Sequence, residues 1–468
     1  MIFIEINFFV YLVSLSQLSR KIIMGMPSIY PTKTTIYKPD KAWNGYTLFS
    51  VANKGAVLID MNGNEVHVWQ DSNGVPCKML PRGNLLSYEW SKEGEKYREY
   101  TRLVQRDWDN NEVWSFDRVE LLTDDDGEQY WSARAHHDFQ REGNPVGYYT
   151  PDLISPIYEG KTLLLCHRNI QNPQISDKPL LDDVFVEVNW QGNIVWTWAL
   201  SDHFSELGFS ETAKNVFYRN PNLISDGVGD YLHINSLSRL GPNKHYDNGN
   251  TDFHPENIIW SSREANIIGI TSRETRKIVW QIGPDYTHDN VKHLGGIIGQ
   301  HHAHLIPQGL PGAGNILLFD NGWQAGYGQA TPTSLYGLKN ACRDYSRVLE
   351  IDPISLDIVW QHSANEQGFK MPTIRFRFFS PHVSSAQRLL NGNTLITEGA
   401  DGRIIEVTKE NKIAWEYISP YTDEQYAWDN MIYRAYRVPY EWVPQLDKPE
   451  EVALPDIDIS QFHIRGKN

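Results

Sequence analysis

Cysteine is scarce in this chain of 468 residues: there are three, Cys77, Cys166 and Cys342. Their wide separation excludes a C-x-x-C zinc or redox motif and a disulfide-stapled scaffold. Basic charge is short as well. Lys and Arg number 43 against 58 Asp and Glu, a net charge of -15, which argues against the basic face a nucleic-acid binder needs. Beyond the first residues no apolar run is long enough to cross a bilayer. Residues 2–15, IFIEINFFVYLVSL, are apolar but short, carry Glu5 inside the run, and have no Lys or Arg ahead of them and no small-x-small cleavage site behind. Met24 and Met26 lie just downstream. Residues 1–26 therefore read as a leader, either a degenerate signal or anchor or an upstream start, and the compartment stays open between cytoplasmic and periplasmic or secreted. Residues 27–446 read as one domain and residues 447–468 as a polar tail.

Aromatic and turn-forming residues are plentiful: 16 Trp, 24 Tyr, 34 Gly and 25 Pro. That composition leans to an all-β fold. One pattern recurs six times, an apolar strand, a polar turn and a strand ending at Trp. The copies are GAVLIDMNGNEVHVW (Trp69), LVQRDWDNNEVW (Trp114), VFVEVNWQGNIVW (Trp196), IIGITSRETRKIVW (Trp280), VLEIDPISLDIVW (Trp360) and IIEVTKENKIAW (Trp415). Each reads as a β-hairpin. A short apolar strand precedes each copy, as in RGNLLSY, GKTLLLC, GNILLFD and GNTLITE. A further strand is expected upstream of these, with candidates at HHDFQR, YLHINSL, GQHHAHL and SSAQRLL. Six units of four antiparallel strands predict a six-bladed β-propeller. The first unit lacks its upstream strand, and MIYRAYRVPY (Met431 to Tyr440) is expected to supply it and close the ring.

The first strand of a propeller blade lines the central channel, and four of these strands carry or follow histidine: His136 and His137, His233, His301 with His302 and His304, and His382. Strand alternation predicts that only one of His136 and His137 faces the channel, that His301 and His302 face opposite sides, and that His233 shares a face with Asn235. A lone histidine is more often a bonded, half-buried side chain than a ligand; its recurrence at one place in several blades points instead to a polar centre built from remote strands. Arg434, Arg437, Arg343 and Arg347 are the accessible cations, with surface charge as the plainer explanation for each. Asp320-Asn321-Gly322 reads as a turn, and the tryptophans as blade core.

The pieces HHDF, DYLHINS, GQHHAHL followed by GNILLFDNG, YSRVLEIDP and SAQRLLNGNTLITEG resemble the arylsulfotransferase (aryl-sulfate sulfotransferase) family, from about Gly45 to Pro439. The resemblance implies a six-bladed propeller that moves a sulfuryl group from an aryl sulfate to a phenol without a nucleotide donor, through a transiently sulfurylated channel histidine. It matches His233 and His301 to the supporting histidines and His382 to the nucleophile. His137, His302, Asn235, Arg347, Arg434 and Tyr433 are then the candidate substrate-binding residues. Two departures stand out: Trp323 and Gln324 occupy the place after DNG where the family carries its arginine, so Arg347 or Arg434 would substitute, and no signal peptide or disulfide is evident. No cofactor is required by this reading.

The residue types also suit other chemistry. Imidazole is a nucleophile near neutral pH, and fixed His and Arg donors stabilise charge on equatorial oxygens. Histidine or tyrosine with arginine can instead perform β-elimination on an anionic saccharide, with Tyr148, Tyr149, Tyr231, Tyr433 and Tyr436 available. Converging imidazoles can also bind a divalent metal. The partner is a small molecule in the leading reading, and neither nucleic acid nor a membrane span is expected for the domain.

Overall fold

The computed structural model describes residues 31–89, 99–124, 126–224, 227–369, 376–422 and 430–455. They form six antiparallel sheets arranged as the blades of a propeller. From axis to rim, blade 2 runs Cys77–Leu80, Asn84–Glu89, Arg102–Arg106 and Glu112–Phe116. Blade 3 runs Ala135–Arg141, Thr162–Ile170, Leu180–Val188 and Ile194–Ala199. Blade 4 runs Ile234–Arg239, Ile258–Ser262, Ile267–Thr271 and Ile278–Ile282, and blade 5 runs His301–Leu305, Ile316–Asp320, Arg347–Ile351 and Ile358–His362. Blade 6 begins at Ser385–Arg388 and continues through Thr394–Glu398, Arg403–Val407 and Ile413–Ile418.

Both ends of the domain are interlocked. Ala435–Val438 is the inner strand of blade 1, paired with Tyr46 to Phe49 ahead of Gly55–Ile59 and Glu65–Trp69. The expected closure by the segment from Met431 is thus the observed one. The four-strand rule fails once: Lys33–Tyr37 adds a fifth, outermost strand to blade 6 by pairing with Ile413–Ile418. The proposed leader, residues 1–26, lies outside the described residues, as do residues 456–468 of the tail. Among the described residues no helix is long and apolar enough to cross a membrane.

The outer hairpins show why the repeat reads as it does. In each turn a short polar side chain satisfies the backbone it reverses: Asp60 accepts from the Asn62 and Asn64 amides, Asp107 from Asn111, and Asn189 from Asn193. The turn also needs a left-handed residue, supplied by Gly63 (φ 81°), Gly192 (φ 80°) and Asn110 (φ 67°) among others. The tryptophans do more than fill the core. Trp69, Trp114, Trp198, Trp280, Trp360 and Trp415 each donate an indole N–H to a turn carbonyl of the following blade, at Asp107, Trp190, Arg276, Pro353, Lys409 and Met61. The last of these returns to blade 1, so the bonds form a closed ring. In blade 3 the donor is Trp198 rather than the repeat-aligned Trp196, because it lies two residues further along the same face. Apolar clusters fill every inter-blade gap, for example Leu163, Trp198, Leu237 and Trp260 between blades 3 and 4.

Candidate active site at the propeller hub

The inner strands of blades 3, 4 and 5 break register at the same place, between Ala135 and Phe139, Ile234 and Ser236, and His301 and His304. In or just ahead of each break a histidine takes a left-handed backbone: His137 (φ 53°) and His302 (φ 54°) within it, and His233 (φ 49°) one residue before Ile234. Val383 (φ 54°) precedes the inner strand of blade 6 in the same conformation. A non-glycine residue held there is strained, and a bulge re-aims its side chain. His136 and His137 turn toward each other, with Nδ1 atoms 2.8 Å apart.

Two of the predicted histidines have their inner nitrogen tied back. His233 Nδ1 lies 2.6 Å from Asp230 Oδ2. His301 Nδ1 lies 2.8 Å from Asn321 Oδ1 and 3.2 Å from the Gly299 carbonyl. In both rings the proton on Nδ1 faces an acceptor, which turns Nε2 to the site, as a lone pair in the neutral ring and as an N–H donor in the protonated one. The His137 ring lies 4.6 Å from that of His233. Burial first, then the charges of Arg263, His233 and Arg434, pushes the His301 pKa well down, so this imidazole stays neutral. Burial works to raise the Asp230 carboxyl, but the His233 beside it holds it below the ordinary carboxylate value.

Asn321 reaches further. Its Nδ2 donates to the Ser380 and Val383 carbonyls at 2.8 and 2.9 Å, on either side of His382. One side chain thus links the His301 ring to the segment carrying the half-buried His382. The Asp320-Asn321-Gly322 run is a turn by sequence and a support of the site by structure.

Below this group the hub is a buried ion network. Arg434 Nη1 is 2.9 Å and Lys78 Nζ 2.7 Å from Asp138, and Asp138 also accepts the Phe139 and Leu237 amides. Burial would raise the Asp138 carboxyl, but Arg434 and then Lys78 overcome it and keep it below its ordinary value. Arg434 also donates to the Asn235 carbonyl at 2.5 Å, and its Nε has no partner among the described residues. Tyr433 points its hydroxyl at the His137 and Asn235 carbonyls. Asn235 itself braces blades 4 and 5 by donating to the Gln300 carbonyl at 2.7 Å. His302 lies beside this network and under the field of Arg434, its ring 4.5 Å from His304.

Other candidates fall elsewhere. Arg347 sits on the third strand of blade 5, bonded to Asp320 and to the Leu294 and Gly296 carbonyls. The tyrosines needed for β-elimination are largely committed: Tyr148 to His304, Tyr231 to Asp182, and Tyr433 to backbone carbonyls. Burial raises the pKa of all three. Several contributors carry no repeat signal. Arg263 stands one residue beyond the second strand of blade 4, Ile258–Ser262, its amide bonded to the His233 carbonyl. Asp230 lies within DYLHINS, three residues before His233. His167 and Asp183 lie on the second and third strands of blade 3, where sequence periodicity marks only core.

These last two join His136 in a second group. The His136 and His167 rings stack at 3.5 Å between centroids, 17° from parallel. Asp183 Oδ1 lies 3.3 Å from His136 Nε2 and 3.8 Å from His167 Nε2. His167 Nδ1 is 2.9 Å from Glu99, which Arg134 grips through both carboxylate oxygens. Burial, and then the neighbouring Asp230, pushes the Asp183 carboxyl well above its usual range. This group could coordinate a metal ion.

The fold and the hub together define the class: a six-bladed propeller with imidazoles and a buried guanidinium gathered near its axis. The Arylsulfotransferase (ASST) family model matches residues 153–434. The chain belongs to the arylsulfotransferase family. It is an enzyme of the transferase kind that acts on a small molecule. No curated protein matches it. Among solved structures it is similar to a protein of unknown function from Bacteroides caccae, with 11% identity and TM-score 0.43 over 84% of this chain and 99% of that one. It is also similar to a periplasmic gluconolactonase from Pseudomonas aeruginosa, with 9% identity and TM-score 0.35 over 85% and 97% of the two chains. A third is apo AztD from Citrobacter koseri, at 9% identity and TM-score 0.34 over 84% and 98%.

Proposed function

We propose that the protein transfers a sulfuryl group from an aryl sulfate ester to a phenol through a sulfo-histidine formed on His382, with His233 and His301 beside it. The observation that carries this reading is the shared tether: Asn321 holds the His301 ring and the carbonyls flanking His382, while Asp230 holds His233. In the first half-reaction an imidazole nitrogen of His382 attacks sulfur, the sulfur–aryl oxygen bond breaks, and the leaving phenolate takes a proton from His233. Asp230 suits His233 to that role, because a carboxylate on Nδ1 stabilises the imidazolium. In the second half-reaction the acceptor phenol gives its proton back to His233, its oxygen attacks sulfur, and the nitrogen–sulfur bond breaks. The charges of Arg263, paired with Glu264, and of Arg434, paired with Asp138, reach the His301 ring and would offset the charge that develops on the equatorial oxygens.

The test is intact-mass analysis after a pulse of aryl sulfate without acceptor, followed by peptide mapping. An adduct of one sulfuryl group on His382, discharged by added phenol, supports the reading. An adduct on His233 or His301 overturns the assignment of the nucleophile. Turnover with no adduct overturns the two-step reaction.

A further inference from the structure

We propose that His136, His167 and Asp183 in blade 3 form a binding site for one divalent transition-metal ion of the Zn²⁺ type, next to the sulfuryl-transfer group and separate from it. The site stands on its own geometry and holds or fails whatever group the enzyme transfers.

Asp183 Oδ1 lies 3.3 Å from His136 Nε2 and 3.8 Å from His167 Nε2, and one ligand atom of each of the three residues lies within 4.8 Å of the others. The three side chains are almost wholly buried, at 1%, 3% and 1% exposure. His136 Nε2 and Asp183 Oδ1 have no hydrogen-bond partner among the described residues. A buried polar atom without a partner is costly, and two aimed at one point are answered together by a cation. The outer nitrogens are already spoken for. His167 Nδ1 faces Glu99 at 2.9 Å, the carboxylate–histidine arrangement that fixes a metal-binding tautomer. His136 Nδ1 faces His137. Both imidazoles are therefore left with Nε2 toward the same carboxylate oxygen. Two nitrogens and one oxygen are a borderline donor set, which suits Zn²⁺ and its first-row neighbours better than Ca²⁺ or Mg²⁺. The rings lie face to face, so their lone pairs run side by side. Ion binding fans them apart, which a strongly held transition metal can drive and a weakly held alkaline-earth ion cannot.

Occupancy would have a consequence for the neighbouring group. A metal on His136 Nε2 requires the proton on Nδ1, which then donates to His137 Nδ1. His137 must in turn carry its proton on Nε2. The ion thus sets His137 as a hydrogen-bond donor beside His233, ready for an anionic oxygen.

The experiment uses the full chain purified without chelator, elemental analysis, and titration of the chelator-treated protein with Zn²⁺ and with Co²⁺, whose visible absorption reports nitrogen and oxygen ligation. One ion per chain is expected, with Asp183→Asn and His167→Gln losing it while circular dichroism shows them folded. Glu99→Gln should weaken binding about 10- to 100-fold. The exposed His288→Ala should bind as the parent does. A folded parent chain that takes up neither ion at micromolar concentration overturns the proposal. Binding left intact in Asp183→Asn and His167→Gln also overturns it, by placing the ion elsewhere.

Discussion

Replacing Asn321 tests whether the hub works as a tethered assembly. Asn321→Ala removes an acceptor from His301 Nδ1, which then has only the Gly299 carbonyl at 3.2 Å, and removes the donor shared by two buried carbonyls. Losing these partners should cost on the order of 3 kcal/mol of stability, at about 1–3 kcal/mol per buried group left unsatisfied. Activity should fall further than a stability change explains. A free His301 ring samples the wrong tautomer, and a shift of about 1 Å in the His382 segment alone costs about 10²-fold. We expect kcat/KM for a chromogenic aryl sulfate to drop by about 10²- to 10³-fold. Asn321→Asp separates the two tethers. It keeps an acceptor for His301 but sets an oxygen against the Ser380 and Val383 carbonyls. It also places a carboxylate on a ring now held neutral by burial and by Arg263, His233 and Arg434. The His301 pKa must then rise, and the acid limb of the pH–rate profile should move to higher pH. An Asn321→Ala enzyme that stays folded and keeps kcat/KM within about threefold of the parent (roughly 0.65 kcal/mol) would refute the assembly.

Arg263→Gln should raise KM while lowering kcat, whereas Arg347→Gln should leave KM unchanged; each also loses a carboxylate pair, with Glu264 and Asp320 respectively, so steady-state kinetics on the folded variants separates them. Asp138→Asn removes the partner of both Arg434 and Lys78, and leaving buried cations uncompensated should cost about 3–5 kcal/mol by urea unfolding. Trp415→Phe deletes the indole bond that closes the ring onto the Met61 carbonyl, an expected loss of about 1–2 kcal/mol by the same assay, and no loss would deny the ring of indoles a stabilising role. Fully buried His362 has its pKa lowered to about 4, burial being the first cause. Because that folded value lies below the ordinary one, its stabilisation is whole above about pH 6.5 and is lost as the pH falls through 4, up to about 3 kcal/mol. His362→Gln should flatten the stability–pH curve in that window.

The propeller was legible because its physics repeats. Six hairpins with a capped polar turn and a terminal tryptophan leave a period in the sequence, and Met431 to Tyr440 carried strand character where one strand was missing. The fifth strand of blade 6 left no trace of that kind, since Lys33–Tyr37 is a single short strand outside the repeat. The histidines at the hub were legible for the same reason, falling at one position in successive blades. Their supports were not. Asp230 acts from the segment ahead of blade 4's inner strand, and Arg263 and Asn321 act from the ends of the second strands of blades 4 and 5, where no period exists. His167 and Asp183 lie on strands whose alternation reads as plain core.

The inner strands also show how the backbone aims the hub histidines. A regular strand sends neighbours to opposite faces, and His136 meets His167 and Asp183 of its own blade while His137 meets His233 and Tyr433. The left-handed backbone at His137 recurs at His233, His302 and Val383. Only strong local determination holds a β-bonded histidine there. The carbonyl or amide of the strained residue, or that of its neighbour, is bonded in each case: Arg263 N to the His233 carbonyl, His304 Nδ1 to the His302 carbonyl at 2.9 Å, and Asn321 to the Val383 carbonyl. The strain is thus offset by the groups that also position the imidazoles. Removing the strain at one bulge, for instance with His302→Gly, which takes φ 54° without a Cβ clash, should stabilise or leave unchanged the local backbone while removing the His302 ring and loosening that of His304. A crystal structure of that variant with the ring of His301 displaced would tie site geometry to the strained residue beside it; an unmoved His301 would show that its Asn321 tether suffices alone.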